Sequence, residues 1–229
     1  MSINIWVVFF LALSLAIYTG FQAIPMLVLM FTPRLLKFWF IEPMDCERRV
    51  GDSKSTQEKV ECLRELSFLP LGIKGERILW QKPVYEVSLA NVEKDTFASI
   101  ILGPDDNALG IYFYTPLKGK GIVFTRAGSR SPQMEKPRIS VKNIPNGEIT
   151  TMFASHSQRV EALRRQGIAP MLGFDQCGRI EATYQFYEST YFKRTRRNVA
   201  NLMPVFNFAL AVVLLIAVLL TYFLRLSSG

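Results

Sequence analysis

His156 is the only histidine in the 229-residue chain, so any reaction that needs an imidazole has to use it. General acid–base or nucleophilic chemistry would need a carboxylate, hydroxyl or thiol brought to that ring, and no such partner stands at a motif spacing. His156 instead falls on an apolar stripe, seven residues after Ile149, where a histidine is ordinarily a core residue with satisfied ring nitrogens. An enzyme using His156 is the least supported function, and it requires the ring to open on a polar cleft. The cysteines are Cys46, Cys62 and Cys177. With His156 they would make up a Cys₃His set, but no C-x₂-C pair occurs and the spacing does not point to zinc. Free thiols are expected. The stretch "PLKGKG" at 116–121 sets two lysines among glycines without the phosphate-binding pattern, and "GPDDN" at 103–107 lacks the calcium-loop pattern. Both read as turns. No catalytic, cofactor-binding or metal-ligating set is expected, and the chain reads as non-enzymatic.

The residues that position everything else are apolar. Residues 3–31 and 205–224 hold no charged side chain. About 20 such residues suffice to cross a bilayer as a helix, so spans are expected at 3–31 and 204–224, with a central domain at 33–199. No Lys or Arg precedes the first block and it is too long for a signal peptide, so an uncleaved anchor is expected. Gly20, Gln22 and Pro25 allow it to tilt, kink or continue along the interface.

Basic residues flank the inner ends of both blocks: Arg34 and Lys37 after the first, and Lys193, Arg194, Arg196 and Arg197 before the second. Such flanks face the cytoplasm. The expected topology is a multi-pass protein of the cell (inner) membrane, with both termini outside and the central domain cytoplasmic. Those six cations and Trp39 are expected to lie at the membrane surface, and "LLKFWF" at 35–40 suits an aromatic belt. The formal charge of +8 comes from 27 basic and 19 acidic residues. Setting aside those six cations and Arg225 leaves 20 basic residues against the 19 acidic ones, nearly neutral, so the excess belongs to the membrane flanks and no nucleic-acid footprint is expected.

In the central domain, Ser55 followed by Glu58 forms a capping box for a helix with Val60, Leu63 and Leu66 on one side. "SFLPLG" then breaks it. Residues 77–144 read as five or six short strands, including a buried run "TFASIILG" and a hairpin, "ALGIYFYT" with "KGIVFTRAG". Residues 146–167 read as a helix capped by Asn146 and stopped by Gly167, with Ile149, Met152, Phe153, His156, Val160 and Leu163 facing the sheet. A last segment, 179–203, reads as helical and nearly continuous with the second span, interrupted only around Pro204. The expected class is α+β: a mostly antiparallel sheet of five or six strands with one packed helix, flanked by two transmembrane helices.

Tyr184, Tyr187 and Tyr191 share one side of that last segment, widened by Phe186 and Phe192. Packing inside the domain is the plainer use of this surface. Tyr184, Phe186, Tyr187 and Tyr191, with Arg126 and Arg130 of a basic loop, are the candidate partner surface. The leading expectation is a two-span accessory or scaffold protein whose cytoplasmic domain docks a protein partner or a second copy. The alternative is a lipid- or headgroup-binding domain using the basic flanks and the 125–138 loop. In element order alone, strands followed by one amphipathic helix, the domain resembles pleckstrin-homology-like barrels.

Overall fold

The computed structural model describes residues 5–32, 35–42, 49–51, 53–128, 133–145, 147–171, 173–192 and 199–227. Its elements in chain order are α1 (Ile5–Phe31), β1 (Lys37–Phe40), α2 (Lys54–Glu65), β2 (Leu69–Arg77), β3 (Val84–Asn91), β4 (Thr96–Leu102), β5 (Ala108–Leu117), β6 (Gly121–Ala127), β7 (Met134–Lys136), β8 (Ile139–Ile144), α3 (Ile149–Arg165), α4 (Gln176–Glu188) and α5 (Val199–Ser227). The chain divides into two units, one holding residues 1–33 with 194–229 and the other residues 34–193.

In the first unit, α1 and α5 are long and apolar enough to cross a membrane, over Trp6–Val28 and Met203–Leu224. They run antiparallel: the Trp6 and Tyr222 rings are 5.2 Å apart at one end, and Gly20 faces Phe208 towards the other. Small side chains at Ala12, Ala16, Ala23 and Ala211 let the helices approach, and a Cβ on Gly20 would come within 3.1 Å of the Phe208 ring. Pro25 and Pro204 both lie inside their helices.

The second unit is α+β with eight strands, not five or six, in the order β1-β2-β3-β4-β5-β6-β8-β7. Every neighbouring pair is antiparallel except β6 with β8. The sheet is open, with β1 and β7 as its edges, so the pleckstrin-like element order is not accompanied by barrel closure. The expectation missed β1, β2 and β7. "KFWF" is too short to show a period, "LPLGIKGER" carries Pro70 and two glycines, and "MEK" sits inside a basic loop.

The period-2 pattern sorts side chains between two layers of helix. Ile73, Val87, Leu89, Ala98, Ile100 and Phe113 pack with Val60 and Leu63 of α2 and Met152 of α3. Phe97, Tyr114 and Phe124 face the other way, towards Ala182 and Phe186 of α4. Three helices therefore cover the sheet on both faces, where one was expected. α2 is capped by Ser53 rather than Ser55: its hydroxyl accepts the Thr56 amide at 3.3 Å and donates to Asn107 at 2.9 Å, tying the cap to the β4–β5 turn. Glu148 is the N-cap of α3, while Asn146 lies outside the described residues. Of the expected stripe, Met152, His156, Val160 and Leu163 are buried, and Gly167 leaves the helix at φ +78°. α4 ends at Ser189, while Pro204, where the interruption was expected, lies inside α5.

Candidate functional site

A charged network lies under α4. β2 and β3 pair so that Lys74 stands opposite Glu86, both pointing away from the apolar core. Glu86 Oε1 receives Lys74 Nζ at 3.0 Å and Arg179 Nη2 at 2.5 Å, while the Tyr112 hydroxyl donates to Oε2 at 2.5 Å. Arg179 also donates to Ser99 at 3.1 Å and Thr183 at 2.8 Å, and Lys74 donates to Thr183 at 3.0 Å. At the rim Glu76 lies 3.8 Å from Lys74 and accepts the Tyr187 hydroxyl. Lys74 is 1 % exposed, Arg179 2 % and Glu86 9 %.

Burial alone would raise the Glu86 carboxyl, but Lys74 and Arg179 beside it, with the Tyr112 hydroxyl, bring it down to about 2. Burial lowers the Lys74 amine despite its acidic neighbours and raises the Glu76 carboxyl despite Lys74. The network is thus an ionised carboxylate saturated by two cations and a phenol. Ser88 Oγ, Tyr114 OH and Arg179 Nε on this side are buried with no hydrogen-bond partner among the described residues. The arrangement encloses Glu86 among its partners. What it does is fix the register of α4 on the sheet through groups more than 90 residues apart in sequence.

His156 is on the opposite face and fully buried. Thr115 donates its hydroxyl to Asp95 O, leaving its oxygen to accept His156 Nε2–H at 3.0 Å. Arg159 donates to the Thr125 oxygen, so the Thr125 hydroxyl hydrogen turns to Nδ1 at 2.7 Å. Both ring nitrogens are satisfied in the neutral form, and burial, with Arg159 adding to it, holds the imidazole well below its ordinary value. The polar cleft that chemistry at His156 requires is not found there. Among the described residues no group of three His, Cys, Asp or Glu side chains is placed to hold a metal ion.

A cleft of about 790 Å³ opens between α2 and the start of β2. Among the described residues β1 pairs with Lys74 to Arg77; beyond it Ile41 N donates to Ile73 O at 3.0 Å and Gln176 Nε2 to Leu71 O at 2.6 Å, and a bulge between Pro70 and Gly72 bends the strand. Val60, Ile73 and Val87 form the floor, Ile41 and Leu71 the walls, and Gln57, Glu61, Arg64 and Gln176 a polar rim.

The residues proposed from sequence are scattered. Tyr184 donates to Leu36 O at 3.1 Å, and the Tyr184 and Tyr187 rings lie 4.8 and 6.3 Å from Phe38 of β1. Tyr191 and Phe192 are buried, and Phe186 packs on Tyr114 and Phe124. Trp39 lies on Gly75, where a Cβ would sit 2.4 Å from the indole. Arg126 Nε donates to Asn143 at 2.9 Å, and Lys37 is exposed at the start of β1. Arg34, Arg130, Lys193, Arg194, Arg196 and Arg197 lie outside the described residues. Sequence reasoning missed Lys74, Glu86 and Arg179. One signal was present: β4 is apolar at nearly every position, so both faces of the sheet are covered and the polar side of β3 is buried.

No family model matches the chain, and no curated protein and no solved structure matches it either.

Proposed function

We propose that the chain is a two-span accessory or scaffold protein of the cell (inner) membrane, termini outside, whose cytoplasmic 34–193 unit docks a protein partner and catalyses no reaction. The cleft beside β2 carries this reading. It joins an apolar floor to a polar rim, the combination that receives an apolar segment of another chain. The antiparallel α1 and α5 and the basic inner flanks support the topology. The docking surface is thereby assigned to the cleft instead of the aromatic segment around Tyr187, whose rings are engaged with β1 and β6.

Two measurements test it. A photo-crosslinker at Gln57 on the rim should capture one protein in stoichiometric amount in mild detergent, whereas one at the exposed Arg165 on α3 should not. A chain that purifies alone, with no crosslink at Gln57, removes the partner reading. For the topology, Cys177 is exposed and is the natural reporter. A membrane-impermeant maleimide should reach it only after permeabilisation, and labelling in intact cells would overturn the orientation. A second reading, attachment to a lipid surface, is favoured by a different part of the unit.

A further inference from the structure

The loop joining β2 to β3 is short, apolar at its tip and basic at its base. Gln81 N donates to Ile78 O at 2.9 Å, closing a turn in which Leu79 takes φ +48°, a conformation that a branched side chain rarely adopts. The turn presents Leu79 and Trp80, and Trp80 is 50 % exposed. Lys37 stands opposite Arg77 in the β1–β2 register, so the first residue of β1 flanks the base of this loop. Leu35, Lys37, Arg77, Leu79 and Trp80 line a groove of about 410 Å³, with Leu35 59 % exposed. Residues 77–83 contain Arg77 and Lys82 and no acid. The β4–β5 turn carries Asp105 and Asp106; Asp106 faces Arg49 at 3.4 Å, and Asp105 accepts from Asn107 Nδ2 at 2.6 Å within its own turn.

Charge and covalent reach together single out the occupant. Lys37 follows Phe31, the last residue of α1, by six residues, and an extended chain covers at most about 22 Å in six residues. If α1 spans the bilayer, Lys37 is tethered within that distance of the end of α1, and Arg77 at the base of the hairpin is its cross-strand neighbour. Indole and leucine side chains ringed by Lys and Arg, with no acid among them, match a headgroup layer carrying negative charge.

We propose that the β2–β3 loop is a docking tip that seats Leu79 and Trp80 in the headgroup layer of an anionic membrane, with Lys37, Arg77 and Lys82 against lipid phosphates. This rests on the membrane-anchored reading of the chain but not on the protein partner. It also places lipid contact away from the 125–138 loop.

The test uses the full chain with Cys46, Cys62 and Cys177 replaced by serine and an NBD label at Trp80→Cys or, separately, at Val92→Cys. Val92 is 60 % exposed and follows β3, at the other end of that strand. In nanodiscs of phosphatidylglycerol and phosphatidylcholine, a nitroxide lipid should quench the label at 80 several-fold more than at 92. The excess should fall in phosphatidylcholine alone and with Lys37, Arg77 and Lys82 changed to Gln. Equal quenching at the two positions overturns the proposal. So does a label at 80 that is shielded from water but not quenched by lipid, which would mark a second copy seated on the loop. Hydrogen exchange on the unaltered chain supplies a readout free of substitutions: amides 79–82 should slow several-fold from detergent to anionic nanodiscs, and unchanged rates overturn the idea. Nanodiscs present both leaflets, so a wrong topology leaves this outcome unaffected, and loss of the partner reading is scored separately at Gln57.

Discussion

Two ion pairs in the 34–193 unit have nearly the same length and different surroundings. Arg179 meets Glu86 at 2.5 Å with side chains 2 % and 11 % exposed, between α4 and the sheet. Arg64 meets Glu61 at 2.6 Å on the outside of α2, 52 % and 63 % exposed. Water already satisfies the second pair when it separates, so its formation changes little. The first pair has no water to fall back on, and each charge depends on the other together with Lys74, Tyr112 and Thr183. The contrast extends to the layers themselves. The α2–α3 face is held by apolar volume with one neutral histidine within it, whereas the α4 face adds matched buried charge to its apolar cluster, which specifies a register more sharply than volume does.

Breaking the buried pair should have the largest effect. Arg179→Met leaves Glu86 ionised and short of a cation, and should cost about 3–5 kcal/mol in denaturant unfolding. Adding Glu86→Leu restores neutrality, with Lys74 still facing Glu76, so the double variant should lose clearly less than the sum of the single ones. An additive result would mean that the two charges do not act together. On the opposite face, Leu89→Ala should cost about 2–5 kcal/mol, and Ile100→Val only about 0.5–1.5 kcal/mol. That grading with removed volume should be absent from the α4 network, where loss follows charge.

A pH titration sharpens the comparison. Below about pH 6.5 the unfolded chain protonates His156, while the folded chain holds the ring neutral, so stability falls as pH drops, by at most about 1.4 kcal/mol per pH unit. His156→Gln should flatten the curve between pH 6.5 and 5. The Glu86 contribution, present above its ordinary range, is lost only as pH falls from about 4.5 towards about 2. A His156→Gln curve parallel to that of the unaltered chain would remove this assignment. The smallest effect is expected at the exposed pair, where Glu61→Gln should move stability by no more than about 0.5 kcal/mol.

What could be read from the sequence was whatever repeats locally. The two apolar helices, the β5–β6 hairpin and the α3 stripe each declare a period within one segment. β1 and β2 do not. β2 carries Lys74 at a position that looks solvated, and its burial makes sense only once Glu86 and Arg179 arrive from elsewhere in the chain. The same holds for the aromatic run around Tyr187. Its spacing shows a face, but that the face meets Phe38, some 150 residues earlier, is a property of topology. The cleft beside β2 lies beyond the four-residue β1, a length that no periodicity reveals.

The contact of Tyr184 and Tyr187 with Phe38 also has a mechanical meaning. It ties the first strand of the 34–193 unit to its last helix, so the strand by which the chain enters the unit is joined to α4 by an aromatic clasp. Tension applied through the flanking segments is borne there and at the four-residue β1, which can peel from β2 one hydrogen-bonded pair at a time. The exit side is held more firmly, because Tyr191 packs on Phe124 of β6 and Arg179 of α4 is bound to Glu86 of β3. Strain would detach an outer strand long before it reached the core.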